Sequence, residues 1–292
     1  MVASFLVYAV GLFCTAMVLG QVRSARARQV ILLVVSYAFY ASWGLWVLAV
    51  LTGSSFANYA LGRRLRRTPT LPWLWSGVLF NVTLLAFFKY LPDVARQAAG
   101  EGTALARIVL PIGLSFWTFQ ALSYLFDLYR EEELDPTLLE FCLYMGFAPT
   151  VLSGPICRLS EVLPQLRQNA PLRRSEVQLA SQRIWLGALM MSLAQLLGSG
   201  PSRGGGINRG FDSARPLNAP DIWLLAIGYG FQLFFDFAGY SHIAIGAARL
   251  LGVGVRENFD RPYLSTSPSV FWTRWHRSLS SWIQDAASTI SK

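Results

Sequence analysis

Apolar runs of roughly membrane-spanning length alternate with short basic clusters along this chain. Residues 2–20 carry no charge and are followed by Arg23, Arg26 and Arg28. They lack the charged n-region and small-residue cleavage site of a signal peptide, so they predict a retained first span. The next basic cluster is Arg63, Arg64, Arg66 and Arg67. If both clusters are cytoplasmic, residues 29–62 go out and come back as two short helices broken near Ser42-Trp43-Gly44. A single tilted span would instead separate the clusters, and the hairpin is the preferred reading. Residues 72–91 predict another span, closed by Pro92, with 92–107 as an outside loop.

Polar positions inside the apolar runs come next. Pro111 opens a helix on which Gln120, Ser123, Tyr124 and Asp127 share a face. Asp127 either belongs to that stripe or snorkels to the surface beside Arg130. Residues 138–158 are apolar but interrupted by Pro149 and Gly154-Pro155. Broken backbone at membrane depth must be covered by protein or line a cavity, so a re-entrant pair of half-helices is predicted. A basic loop follows at 159–175. Residues 176–198 read as an amphipathic start and then a span, and 198–211 as a flexible Gly-rich loop.

The span 221–248 carries Gln232, Asp236 and Tyr240 at i, i+4 and i+8, one stripe of a helix. A carboxylate and an amide are costly there, so the stripe is expected to face protein or a water-filled cavity. Ser267-Pro268 then reads as an N-cap and first helical residue. One continuous helix is expected after it, with Trp272, Trp275, Leu279, Trp282 and Ile283 on one face. Arg274, Arg277 and Ser281 lie on the other, with His276 at the edge. That is the pattern of a helix lying in a membrane interface. The expected fold is an all-α polytopic membrane protein, a helical bundle with re-entrant segments and an amphipathic interfacial helix.

Composition agrees. Of 292 residues, 53% are hydrophobic and only 14% charged, against about a quarter charged in soluble domains. Ten Trp, eleven Tyr and nineteen Phe fit aromatic belts at two interfaces. The net charge of +9 sits between apolar runs and reads as topology, so lipids and not nucleic acid are the expected surroundings. Cys14, Cys142 and Cys157 have no paired spacing, which supports neither a disulfide framework nor a metal site. Cys157 beside Arg158 invites a reading as nucleophile or lipidation site. With no histidine near it in sequence, packing is the favoured role. The Gly-rich loop lacks the Gly-Lys-Ser/Thr of a phosphate-binding loop.

FDFAGYSHIAIGAARLLG, ENFDRPY and FWTRWHRSLSSWIQD, in this order, resemble the membrane-bound O-acyltransferase family. The likeness is to the bacterial branch that acetylates alginate and related polysaccharides. LPIGLSFWTFQALSYLFDLYR and the block ending in SGPICR resemble further family segments. The resemblance implies transfer of an acyl group, such as acetyl, to hydroxyls of an extracytoplasmic polysaccharide. It implies a cytoplasmic donor such as acetyl-CoA or an acyl-carrier protein, no resident cofactor, partner acetylation proteins, and a multi-pass place in the cell inner membrane.

Acyl transfer to a hydroxyl needs a base near the acceptor oxygen and donors for the oxyanion. Histidine suits the base because its pKa lies near neutrality. His276, inside a family motif, is the catalytic candidate, with a structural or donor-positioning role as the alternative. Gln232, Asp236, Tyr240, Gln120, Tyr124 and Asp127 would line a substrate funnel, with Arg274 and Arg277 near the anionic donor. His242 stands where the family more often shows an acidic residue and is expected to pack or line a cavity.

The family pattern continues past this helix to a second histidine, usually taken as catalytic, whereas this chain holds only His242 and His276. The likeness is expected to cover 1–285 as one membrane domain, with 286–292 a non-matching tail such as a shifted or early-stopped reading frame leaves. Such a C-terminally truncated chain is expected to be inactive alone. The alternatives are a non-catalytic membrane scaffold and a transporter-like protein. A transporter also uses intramembrane Asp and broken helices, but predicts an internal repeat that this sequence does not display.

Overall fold

The computed structural model describes residues 2–100, 102–168, 173–199, 206–211 and 217–290. Local signals set most helix ends. The apolar opening run forms α1 (Val2–Gln21), and Ser24 caps α2 (Ala25–Ala41) by accepting from the Ala27 N–H. The break expected near Ser42-Trp43-Gly44 is present. Gly44 sits at φ 130°, where a side chain would be strained, and α3 (Leu45–Arg67) starts beyond it. α4 (Leu71–Ala99) runs on through Pro92. This corrects the span end expected at Pro92 and shortens the expected loop. Proline removes one backbone donor, a loss that helices in a membrane tolerate when neighbours re-satisfy the freed group.

α5 (Leu114–Tyr129) follows Gly113 at φ 78°. A Cβ there would lie 2.1 Å from the Val151 carbonyl oxygen, so glycine is what lets α5 begin against that backbone. Thr137 and Glu140 form a reciprocal capping box that starts α6 (Leu138–Gly146). Irregular backbone then leads to α7 (Leu159–Arg167), with Phe147, Thr150, Val151, Ile156 and Cys157 buried along the way. The nine residues of α6 rise only about 13 Å. A short helix followed by backbone turning inside protein is the geometry expected of a re-entrant segment.

The helices α3, α4, α6 and α7 pack around α5 and bury Trp117, Tyr124, Leu125 and Phe141 almost completely. One end of this bundle is charged. Gln29 of α2 donates to Glu140 and to the Leu166 carbonyl. Arg167 donates to Glu140 at 2.7 and 2.9 Å and to the Asp135 carbonyl. Arg66 of α3 pairs with the Asp135 side chain. The start of α2 and the end of α3 thus meet at one end of the bundle, which is the hairpin and not the single tilted span.

Beyond this bundle, α8 (Arg174–Ser199) and α10 (Ala219–Leu250) form a close pair, with short α9 (Ile207–Phe211) beside them. Part of the expected Gly-rich loop, residues 200–205, lies outside the described residues. Small residues let the two backbones touch. A Cβ on Gly187 would lie 2.4 Å from the Gly239 carbonyl oxygen, and one on Gly246 2.7 Å from that of Ala180. Among the described residues α3, α4 and α10 are the helices long and apolar enough to cross a membrane. α8, where a span was expected, falls short because Glu176, Gln178, Gln182 and Arg183 dilute its first half.

The helix expected from Ser267-Pro268 onward is in fact two. Ser267 caps α11 (Pro268–Arg274) by accepting from the Val270 N–H, and the run breaks at Trp275-His276 before α12 (Arg277–Ile290). The single apolar face expected there is therefore split. Trp272 and Ile283 are exposed, while Trp282 packs on Phe119 of α5 and donates its Nε1–H to the Phe119 carbonyl at 3.1 Å. With helices alone among the described elements, three of them of membrane-crossing length, the chain is an all-α polytopic membrane protein.

Candidate active site

A buried polar cluster forms where α10, the re-entrant segment, the loop after α10 and the start of α12 converge. Its centre is Asn258, which has no exposed surface. Asn258 Nδ2 donates to Ser241 Oγ of α10 at 3.1 Å, and its Oδ1 accepts from Ser278 Oγ of α12 at 2.6 Å. Ser278 Oγ in turn accepts from the Ile156 N–H at 3.0 Å. The backbone adds two bonds. Arg277 N–H donates to the Asn258 carbonyl at 2.9 Å, and Asp260 N–H donates to the Arg274 carbonyl at 3.0 Å. Together they bracket Trp275 and His276.

His276 stands in the left-handed region at φ 45°. Its imidazole packs edge to face on Phe237 of α10, ring centres 4.8 Å apart. Its Nδ1 lies 3.5 Å from Ser278 Oγ, too far for a strong hydrogen bond. Burial pushes the imidazole pKa down to about 4, so the ring is neutral at pH 7 and keeps one nitrogen as a proton acceptor. Phe234, Phe259, Tyr263, Phe271 and Trp275 form a continuous set of packed rings beside it.

A second polar group lies between α5 and α12. Arg158 donates to Asp127 Oδ1 at 3.2 Å and pairs with Asp285, while Arg130 donates to Ser288 Oγ at 2.8 Å and to the Asp285 carbonyl. Ser123, Phe126 and Trp282 close the crevice among these side chains. Asp127 Oδ2 and Gln120 Oε1 are buried without a hydrogen-bond partner. Among the described residues no cluster of His, Cys, Asp and Glu is arranged to hold a metal ion.

Residues 64–284 match the family model of MBOAT, the membrane-bound O-acyltransferase family. The chain belongs to this family. It is 32% identical over 280 residues to the probable alginate O-acetylase AlgI of Pseudomonas aeruginosa, which covers 89% of this chain and 51% of that relative. It is 29% identical to the peptidoglycan O-acetyltransferase of Helicobacter pylori, over 87% of this chain and 54% of that protein. A teichoic acid D-alanyltransferase of Streptococcus thermophilus is 33% identical over 69% of this chain and 49% of its own length. The chain spans about half the length of these curated relatives.

In this member of the membrane-bound O-acyltransferase family the candidate residues do not gather in one place. Tyr240 reaches the backbone at Ser153 of the re-entrant segment, close to the Asn258 cluster in sequence terms on both sides. Gln232 instead donates to Asn208 of α9 at 3.3 Å, and Asp236 is exposed. This corrects the expectation that Gln232, Asp236 and Tyr240 share one protein-lined face. α10 buries its small residues against α8 and turns Phe237 and Ser241 toward the His276 turn, which leaves Asp236 outside. Gln120, Tyr124 and Asp127 are buried on α5. Asp127 does not snorkel, being held by Arg158 inside the protein.

Arg274 is half-buried, with Nη1 3.4 Å from the Leu264 carbonyl oxygen, and Arg277 is exposed. The break between α11 and α12 makes them flank His276. His242 is more than a packing residue, because its Nδ1 lies 2.7 Å from Nη1 of Arg183, whose guanidinium also binds Glu257. Cys157 is a packing cysteine, buried with Sγ 3.3 Å from the Pro155 carbonyl oxygen. Ser241, Asn258 and Ser278 escaped the sequence reading. Each lies in a motif segment, but a small neutral polar residue carries no charge signal in an apolar run and is as readily satisfied by nearby backbone.

Proposed function

We propose that this chain supplies the His276-bearing part of a membrane O-acyltransferase of the cell inner membrane. The reaction moves an acyl group, acetyl in the first instance, from a cytoplasmic thioester to hydroxyls of an extracytoplasmic polysaccharide such as alginate. The observation that carries the reading is the His276 imidazole, set in a left-handed turn where the motif segments meet. A neutral imidazole accepts the hydroxyl proton as that oxygen bonds to the acyl carbon. The carbon–sulfur bond then breaks, and the imidazolium returns the proton to the departing thiolate. The donor is acetyl-CoA or an acyl-carrier protein.

Arg274 and Arg277, flanking the turn, suit the anionic part of such a donor. Tyr240, Gln120, Tyr124 and Asp127 would supply polar lining, and Gln232 and Asp236 would join it when further protein covers that face of α10. Residues 1–285 act as one membrane domain in this reading, with partner acetylation proteins completing the relay to the polysaccharide. With His276 the one histidine in its cluster, the chain by itself is expected to turn over no acceptor.

The test is a chimaera in which this chain replaces the region it matches in the Pseudomonas aeruginosa relative. Acetylation of polysaccharide in cells carrying the chimaera, lost on His276→Ala, is the expected result. A chimaera that inserts normally and acetylates nothing, or one indifferent to His276→Ala, overturns the reading.

A further inference from the structure

The polar cluster beside His276 has a hub that no charge or motif rule singles out. We propose that Asn258 is the positioning residue of this site, holding the Trp275-His276 turn closed and the imidazole fixed against Phe237. The inference rests on the acyl-transfer reading for what the imidazole does, but not for how it is held.

A residue other than glycine in the left-handed region is strained and persists only when its surroundings over-determine it. Around His276 they do. The Arg277 N–H is one of the first amides of α12, which the helix cannot satisfy itself, and the Asn258 carbonyl takes it at 2.9 Å. Two residues further on, Ser278 Oγ donates to Asn258 Oδ1 at 2.6 Å while accepting from the Ile156 N–H. On the other side Asn258 Nδ2 donates to Ser241 Oγ, one turn of α10 beyond the Phe237 ring that the imidazole touches. The Asn258 side chain therefore ties α10 to α12, and Ser278 carries the link on to the re-entrant segment.

Only asparagine does this from a short planar group. Aspartate lacks the donor, leucine of similar size lacks both functions, and glutamine is longer by one methylene. These bonds lie inside the protein, with Asn258 fully buried and Ser241 and Ser278 nearly so. Burial alone lowers the pKa of His276, with no charged neighbour contributing, so the ring reports directly on whether the turn stays closed.

The chain has only two histidines, so in a His242→Gln background the remaining ring signal belongs to His276. The full chain in nanodiscs, with labelled histidine, is titrated by NMR and treated with diethylpyrocarbonate. In the parent the ring should stay neutral down to about pH 4 and react slowly. Asn258→Leu should move the titration toward ~6.5 and raise the reaction rate about tenfold or more. Ser241→Ala, which removes one of the bonds, should shift both in the same direction by less, and it serves alone if Asn258→Leu does not fold. Asn81→Leu is the control, because Asn81 and Asn58 form an equally buried amide pair between α3 and α4, away from the turn. It should leave the ring as in the parent.

The proposal is overturned if the Asn258 and Ser241 variants leave the ring unchanged, or if Asn81→Leu moves it equally. Failure of the chimaera to acetylate polysaccharide would overturn the acyl-transfer reading while leaving this ring measurement standing.

Discussion

α5 and α10 both carry a row of polar side chains along an apolar helix, and the fold treats them oppositely. α5 is surrounded on all sides, and Gln120, Tyr124 and Asp127 are almost wholly buried. Its carboxylate is matched by Arg158 from the re-entrant segment. α10 has protein mainly on the side where Gly239 and Gly246 meet α8, so of its row Gln232 finds Asn208, Tyr240 finds Ser153 and Asp236 finds no cover. The same sequence signal thus becomes an internal ion pair in one helix and an open face in the other. The difference is the number of neighbours around each helix, which no property of the stripe itself encodes.

The sharpest way to break the comparison is to unpair the buried carboxylate. Arg158→Ala leaves Asp127 uncompensated inside the bundle and should destabilise it by ~3–5 kcal/mol. Arg183→Ala, at the partly exposed Arg183–Glu257 pair beside α10, should cost under ~1 kcal/mol. Unfolding of both variants in mixed micelles reads the contrast, and equal losses would erase it. Gly239→Leu should cost ~1–3 kcal/mol by forcing α8 and α10 apart. Cysteine cross-links between α8 and α10 should be lost while those within the α5 bundle persist. Loss of both sets together would make the two regions one cooperative unit.

His276 sits on the seam between the two regions, and its pH dependence sharpens the comparison next. Its folded pKa of about 4 lies below the ordinary ~6.5, so folding favours the neutral ring. In the unfolded chain more protons bind between those values, and stability rises with pH across that window. The contribution is therefore complete above ~6.5 and is lost as pH falls toward 4. His276→Gln should flatten that part of the stability profile, and an unchanged slope would assign it to another group. The smallest effect is expected at Asp236. Asp236→Leu should change stability by no more than ~0.5 kcal/mol, as at an exposed site, and leave insertion intact. In the chimaera the same substitution should abolish acetylation. Retained acetylation there would reduce Asp236 to a surface residue.

Much of the architecture was decided by the sequence alone, because its signals are local. Apolar length and basic clusters mark α3, α4 and α10, Gly44 breaks the hairpin, Ser267 and Thr137 start helices, and Pro149 with Gly154-Pro155 keeps the re-entrant segment irregular. Local signals also misled, at Pro92, where one lost hydrogen bond did not end α4, and at His276, where an unbroken amphipathic pattern concealed a turn. The tertiary structure decided what depends on partners distant in sequence. Arg158 reaches Asp127 across 31 positions and Ile156 donates to Ser278 across 122, and these pairings exist only once α5, α10, α12 and the re-entrant backbone have packed. Asn258 is the limiting case. A neutral amide in a loop carries no period and no charge, and its meaning comes entirely from Ser241, Ser278 and Arg277 being brought to it by helices that packing, not propensity, puts in place.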